Sequence, residues 1–184
     1  CKTAVINIDD EYGKRLAQEF SDIAVTYSAA GNADYHAEFI RMNATGCSYM
    51  LVNEREKTAC RVDMNMTGLY NVQNSLCAIA MVTALGFDMT ECAKALSDLD
   101  GVDGRMNVVY RGDFTVITDY AHTDDALIKV LSTLKPLTKG RLICVFGAAG
   151  DRDKEKRPMM ARAAEDNADI LVITSDNPAH ENPD

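Results

Sequence analysis

Three short polar stretches in the second half of the chain carry the residue types that chemistry needs, and each follows an apolar run. Asp119-Tyr120-Ala121-His122-Thr123 closes the run that begins at Phe114. A carboxylate there can accept two hydroxyls, as from a ribose, and an imidazole can donate to a phosphate or take a proton. The plain alternative is turn chemistry, with Thr123 or Asp124 capping the next helix. Gly147-Ala148-Ala149-Gly150-Asp151-Arg152-Asp153 follows the most apolar run of this half. Its glycines permit close backbone approach, and free N–H groups ahead of a helix suit an anion. Arg152 stands where a two-pronged guanidinium could hold a carboxylate. The spacing matches neither G-x-x-x-x-G-K-[ST] nor G-x-G-x-x-G. The third stretch, Ser175-Asp176-Asn177-Pro178, is a strong turn signal. It also offers a carboxylate and an amide to an amine-bearing ligand.

The first half offers less. Asn71 and Asn74 share one helix face at i, i+3, where they either bond neighbouring backbone or meet a ligand base. Asp9-Asp10 either holds a metal or caps a helix starting at Glu11, and capping is the simpler reading. Tyr35 and His36 have no evident partner, and His180 is expected to be exposed.

Positioning these groups requires particular elements. Thr3–Ile8 is a β-branched strand, Glu11–Phe20 a helix and Asp22–Ser28 a strand. Glu38–Met42, Cys47–Asn53 and Ala59–Met64 alternate in the manner of an antiparallel meander. Asn71–Leu85 is apolar nearly all round, which predicts a buried helix closed by Gly86, and Thr90 is the expected cap of a helix over Glu91–Leu99. Asp100–Gly104, with two glycines and two aspartates, reads as a hinge. After it come strand Met106–Tyr110, turn Arg111–Asp113, strand Phe114–Asp119, helix Asp124–Leu134, strand Arg141–Phe146, helix Arg157–Asn167 and strand Ile170–Thr174. Strand–helix alternation implies a parallel sheet, whose ligands sit beyond the carboxyl ends of the strands. The three polar stretches lie at those ends.

The chain has 184 residues and a formal net charge of −9, which excludes a general nucleic-acid-binding surface but not a nucleotide site. An apolar content of 47 % is enough for a core. No apolar run approaches the length of a membrane span and no signal-peptide pattern opens the chain. The six cysteines form no C-x-x-C pair and read as free, buried thiols of a reducing cytoplasm. The chain opens on Cys1 and stops just past an Asn-Pro turn, so the expectation is an internal piece of a longer protein.

Taken jointly the motifs fall into a known order. Gly68-x-Tyr70-Asn71-x-x-Asn74-x-x-x-Ala78 is followed by Gly104-Arg105 and Asp119-Tyr120-Ala121-His122-Thr123. Next come Gly150-Asp151-Arg152-Asp153 with Lys156-Arg157-Pro158, and last Asp176-Asn177-Pro178. In this the chain resembles the Mur ligases, and among them those that add the third residue of the peptidoglycan stem peptide. The opening Val5-Ile6-Asn7-Ile8-Asp9-Asp10 is similar too, and the resemblance runs through essentially all of the chain.

The resemblance implies an α/β architecture. Residues 1–102 would be the C-terminal half of a central ATP-binding domain. Residues 103–184 would be the N-terminal half of a Rossmann-like C-terminal domain with a mainly parallel sheet. It implies ATP-dependent amide formation, in which the D-glutamate carboxylate of UDP-MurNAc-L-Ala-D-Glu becomes an acyl phosphate that a diamino acid attacks. By the family pattern Asn71 and Asn74 look like adenine-side contacts, Asp119 like the ribose contact, and Arg105 and His122 like phosphate-side groups, His122 being the catalytic candidate. Arg152, Asp176, Asn177 and Ala179 look like the amino-acid pocket. ATP and Mg²⁺ are implied, with the magnesium ligands expected mainly upstream and none assigned here. Neither a nucleic-acid partner nor a membrane span is expected.

Two positions depart from the pattern. Diaminopimelate-adding members typically read Asp-Asn-Pro-Arg, the arginine holding the distal carboxylate, whereas Ala179 stands here. Lysine lacks that carboxylate, so the expected substrate is L-lysine, with meso-diaminopimelate the alternative on the strength of Asp151-Arg152-Asp153 and Lys156-Arg157-Pro158. Asp124 replaces a usual proline at the start of a helix. A folylpolyglutamate synthetase relative and a non-catalytic nucleotide-binding module are the remaining readings. The fragment alone is expected to be inactive.

Overall fold

The computed structural model describes residues 1–182, and the chain divides into two units, 1–116 and 117–184. In the first unit β1 (Ala4–Asn7), α1 (Glu11–Glu19) and β2 (Ala24–Ser28) form a β-α-β turn of chain, and β1 pairs β2 in parallel from Ala4↔Ala24. β3 (Tyr35–Asn43), β4 (Gly46–Asn53) and β5 (Thr58–Met64) extend it in the order β1-β2-β3-β4-β5. β2 and β3 are parallel; β3, β4 and β5 are an antiparallel meander, as the alternation predicts.

Helix α2 (Leu69–Ala84) lays Val72, Leu76, Ile79 and Ala80 on Val25, Tyr49, Leu51, Val62 and Met64. Each fully buried aliphatic side chain here is worth about 1.5–3 kcal/mol relative to exposure. Ser75 Oγ donates to Val72 O, so Tyr49 OH must donate to Ser75 Oγ at 2.8 Å, which satisfies both buried hydroxyls. α2 is not buried all round as its composition suggests: Asn74, Met81 and Leu85 are exposed. Gly86 closes it at φ 96°, a conformation in which a glycine has no Cβ penalty. α3 (Met89–Ser97) starts earlier than expected, because Asp88, not Thr90, is its cap and accepts from the N–H groups of Thr90 and Glu91.

β3 begins at Tyr35, ahead of the expected Glu38. Tyr35 OH accepts from Asn53 Nδ2, and His36 Nδ1 meets Ala33 O, so both residues are buried and partnered. The first unit runs past the Asp100–Gly104 hinge. Met106 is buried and Asn107 Nδ2 donates to Asp103 Oδ1, which carries β6 (Asn107–Arg111) with it. β7 (Thr115–Thr118) pairs β6 as a two-stranded ribbon.

In the second unit α4 (Asp124–Leu134) packs on α5 (Lys156–Asn167) through Leu127, Leu131 and Leu134 on one side and Met160, Ala163 and Ala164 on the other. β8 (Ile143–Phe146) and β9 (Ile170–Ile173) pair in parallel, from Ile143↔Ile170 to Phe146↔Ile173. Ile143, Val145, Val172 and Ile173 remain exposed on these strands. The thiols are all free, but only Cys47 and Cys144 are buried; Cys1 is exposed and Cys60, Cys77 and Cys92 are half-buried, which corrects the uniform expectation. No helix among the described residues is long and apolar enough to cross a membrane.

Candidate functional site

The carboxyl ends of β8 and β9 open into a cleft of about 460 Å³. Its walls include Gly150, Arg157, Ser175, Asp176, Pro178 and Glu181. Two of the three polar stretches thus meet where a parallel strand pair leaves room for a ligand. Their approach is close. Gly150 N–H donates to Asn177 O at 2.8 Å, and a Cβ at Gly150 would fall 1.9 Å from the Pro178 carbonyl oxygen. The same holds at Gly147, where a Cβ would lie 2.7 Å from Thr174 O. Both glycines are required by space.

The segment after β9 is clasped to the loop after β8. Glu181 Oε1 accepts from Asp151 N–H at 2.9 Å. Arg157, in the first turn of α5, donates to both Glu181 oxygens at 2.8 and 3.0 Å and also reaches Ala149 O at 3.3 Å. Arg157 and then the Asp151 N–H hold the Glu181 carboxyl down at about 2. His180 Nδ1 meets Asp151 Oδ2 at 2.6 Å, and His180 is 94 % exposed, as expected of it. Asp151 and Ala179 both sit at positive φ, 54° and 50°, a conformation that costs a non-glycine residue energy and is kept only where surroundings enforce it.

The candidate residues divide among these features. Asp176 lines the cleft, and its carboxylate has no hydrogen-bond or ion-pair partner among the described residues. Asn177 shapes the turn, its Oδ1 accepting from Ala179 N–H. Arg152 is exposed and makes no hydrogen bond or ion pair among the described residues. Asp153 caps the approach to α5 through Glu155 N–H. At the third strand end, Asp119 Oδ1 accepts from Ala121 N–H, and His122 Nδ1 meets Tyr120 O. Thr123 Oγ1 caps α4 by accepting from Ala126 N–H. Lys156 Nζ donates to His122 O at 3.1 Å, so α5 holds this stretch as well.

Asn71, Asn74 and Arg105 belong to the first unit. Asn71 Nδ2 donates to Thr67 O, which is the backbone alternative for a buried amide. Asn74 is exposed, and Arg105 is exposed with one guanidinium nitrogen on Gly104 O at 3.3 Å. The aspartate pair splits its work. Asp10 caps α1 by accepting from Gly13 N–H. Asp9 accepts from Ser28 Oγ, the N–H groups of Ala29 and Ala30, and Gln73 Nε2. Burial opposes its charge, yet Ser28, Gln73 and the two N–H groups outweigh that and lower its pKa. No group of three metal-ligating side chains stands together among the described residues.

Sequence reasoning missed the clasp. Arg157 lay within a quoted motif without a role, and Glu181 had no local signal, since its partner is 24 residues away.

Two family models match the chain: the Mur ligase middle domain over residues 1–82, and the Mur ligase glutamate ligase domain over residues 104–184. UDP-N-acetylmuramoyl-L-alanyl-D-glutamate--2,6-diaminopimelate ligase 1 of Clostridium acetobutylicum is 41 % identical over 186 residues, covering 100 % of this chain and 38 % of its own length. The corresponding ligase of Bacillus licheniformis is 44 % identical over 183 residues, covering 99 % and 37 %. A solved structure of a UDP-N-acetylmuramoyl-L-alanyl-D-glutamate--2,6-diaminopimelate ligase superposes with a TM-score of 0.66 at 38 % identity, over 99 % of this chain and 38 % of that one. The chain therefore spans under two fifths of the length of these relatives.

Proposed function

The chain belongs to the Mur ligase family, and from that premise we propose that it serves in an ATP-dependent ligase joining meso-diaminopimelate to UDP-MurNAc-L-Ala-D-Glu. The observation that carries this reading is identity of 41 % across the whole chain to a protein named as a diaminopimelate ligase. The expectation of L-lysine, which rested on Ala179, is given up: the relatives named above carry diaminopimelate in their names. Arg152, exposed and uncommitted on the loop after β8, is the candidate cation for the distal carboxylate of diaminopimelate. We read residues 1–102 and 103–184 as parts of the middle and C-terminal domains.

In this reading the γ-phosphoryl of ATP passes to the D-glutamate carboxylate, giving an acyl phosphate and ADP. The amine of the diamino acid attacks the acyl carbon, and phosphate leaves from the tetrahedral intermediate while the amine loses a proton. Asp176 holds an ammonium of the incoming amino acid, and Arg152 pairs its distal carboxylate as a bidentate fork. Asn177 and Ala179 form the turn that presents Asp176. Exposed Asn74 lies on the adenine side with Asn71, whose amide is tied to Thr67 O, behind it; Asp119 meets the ribose, and Arg105 and His122 face phosphate charge, with His122 the catalytic candidate. Family members use magnesium, and no group of three metal-ligating side chains stands together among the described residues.

The test is phosphate release by the whole ligase with ATP, magnesium and UDP-MurNAc-L-Ala-D-Glu, with meso-diaminopimelate and L-lysine in parallel. Diaminopimelate-dependent turnover supports the reading. Turnover with lysine alone restores the Ala179 argument, and turnover with neither overturns the ligase assignment.

A further inference from the structure

We propose that Glu181 is a positioning residue for the incoming amino acid: clamped by Arg157, it holds the Asp176–Ala179 turn against the Gly147–Gly150 loop and fixes where the Asp176 carboxylate stands in the cleft. The inference rests on the ligase reading above and adds to it a residue that the sequence motifs leave without a role.

Several contacts of unequal strength hold the segment beyond β9. Thr174 N–H still donates to Phe146 O, and Gly150 N–H to Asn177 O. The bonds from Ala179 N–H to Asn177 Oδ1 and from Glu181 N–H to Pro178 O are internal to the turn. His180 reaches Asp151, but an almost fully exposed imidazole is screened by water and contributes little. The Glu181 carboxylate makes the strongest of these contacts. It takes Arg157 with two parallel N–H donors and the Asp151 N–H besides, the geometry in which charge-assisted bonds are strongest and most directional.

Arg157 supplies the rigidity. It stands in the first turn of α5, whose inner side chains Met160, Ala163 and Ala164 are buried. Through Ala149 O the same guanidinium also holds the loop after β8. One arginine on a packed helix thus staples both loops of the cleft. The two carboxylates of the cleft therefore have separate duties. Arg157 and the Asp151 N–H already occupy both Glu181 oxygens, and Lys154 Nζ stands 3.6 Å from Oε1, whereas Asp176 is uncommitted among the described residues.

The experiment is steady-state kinetics of the whole ligase as Glu181→Gln, Arg157→Met and the double variant, with thermal melting of each. A displaced Asp176 weakens capture of the amino acid, so Glu181→Gln should raise KM for meso-diaminopimelate about tenfold while KM for ATP stays within about twofold. Arg157→Met should raise KM for meso-diaminopimelate at least as much, since it also releases Ala149 O, and the double variant should be no worse than Arg157→Met, because the shared contact is already lost there. A role in stability alone would lower the melting temperature and the active fraction at unchanged KM, and that result overturns the proposal. So does additivity of the two single effects, or a parallel rise in every KM. If Glu181→Gln yields little folded protein, Arg157→Lys carries the same test, since lysine keeps the charge and loses the paired contact. Wild-type enzyme with no diaminopimelate-dependent phosphate release overturns the ligase reading instead; wild-type turnover with unaltered variants overturns this inference alone.

Discussion

Gly150→Ala is a one-methyl perturbation whose consequence can be worked from distances. Gly150 is buried and its φ lies outside the left-handed region, so alanine suits the backbone and only space is at issue. The new Cβ would stand 1.9 Å from Pro178 O and 2.4 Å from Pro178 C. Ordinary contact begins at 3.4 Å, so the two loops must part by 3.4 − 1.9 = 1.5 Å. Both obstructing atoms are backbone, and no side chain can rotate away. The Gly150 N–H to Asn177 O bond, now 2.8 Å, lies across the same gap. Its loss costs about 1 kcal/mol, and overpacking adds roughly 1–3 kcal/mol. Function should suffer more, because a misplacement of about 1 Å at a reacting geometry costs on the order of 100-fold. The assay is kcat/KM for meso-diaminopimelate in the whole ligase, with thermal melting alongside. Gly140→Ala is the control, since nothing lies within 4 Å of its Cβ position. Activity within about twofold of wild type for Gly150→Ala, at an unchanged melting temperature, would refute the claim that this approach sets the site.

Two further outcomes follow from the same structure. The Asp9 carboxyl is held below its usual 3.8, so its stabilisation is complete above that pH and fades as pH falls through the lower folded value. Melting of wild type and Asp9→Asn from neutral to acid pH should show a wide gap at neutrality that narrows below pH 3.8, and a constant gap would contradict the assignment. Thr123→Ala removes the acceptor for Ala126 N–H and should cost about 1 kcal/mol by denaturant unfolding, with Thr123→Ser restoring most of it.

Much of this was legible because local rules governed it. Thr123 caps α4 from a Thr-x-x-Ala spacing that needs no tertiary information, and the β3–β5 meander follows from period-two alternation. Where alternation failed, the reason is physical. The β3–β4 register shifts between Glu38 and Arg41, with Phe39 at φ 53°, so side chains on either side of the bulge break step and the strand's true start at Tyr35 is hidden. Asp88 displaced Thr90 as a cap because its carboxylate takes two N–H groups at once. At the site, Asp176 and the glycines stood out by type, but the Arg157–Glu181 clasp is a long-range pairing of common charged residues. The relatives named above favour the alternative substrate over the expected lysine. The lysine expectation gave Ala179 more weight than Asp151-Arg152-Asp153 and Lys156-Arg157-Pro158, which pointed to the alternative.

The hydrogen bond from Gln73 to Asp9 spans 64 residues of sequence. On a ribosome adding about 5–20 residues per second, Asp9 emerges roughly 3–13 s before its last donor. Through that interval the β1-α1-β2 segment exists without the helix that completes its network, and its carboxylate stays hydrated. A charged group can wait in water without recruiting wrong neighbours, which an apolar side chain in its place could not. The order of synthesis thus suits the choice of residue: the turn after β1 carries a patient acceptor, and helix α2, arriving later, supplies the donor that locks it.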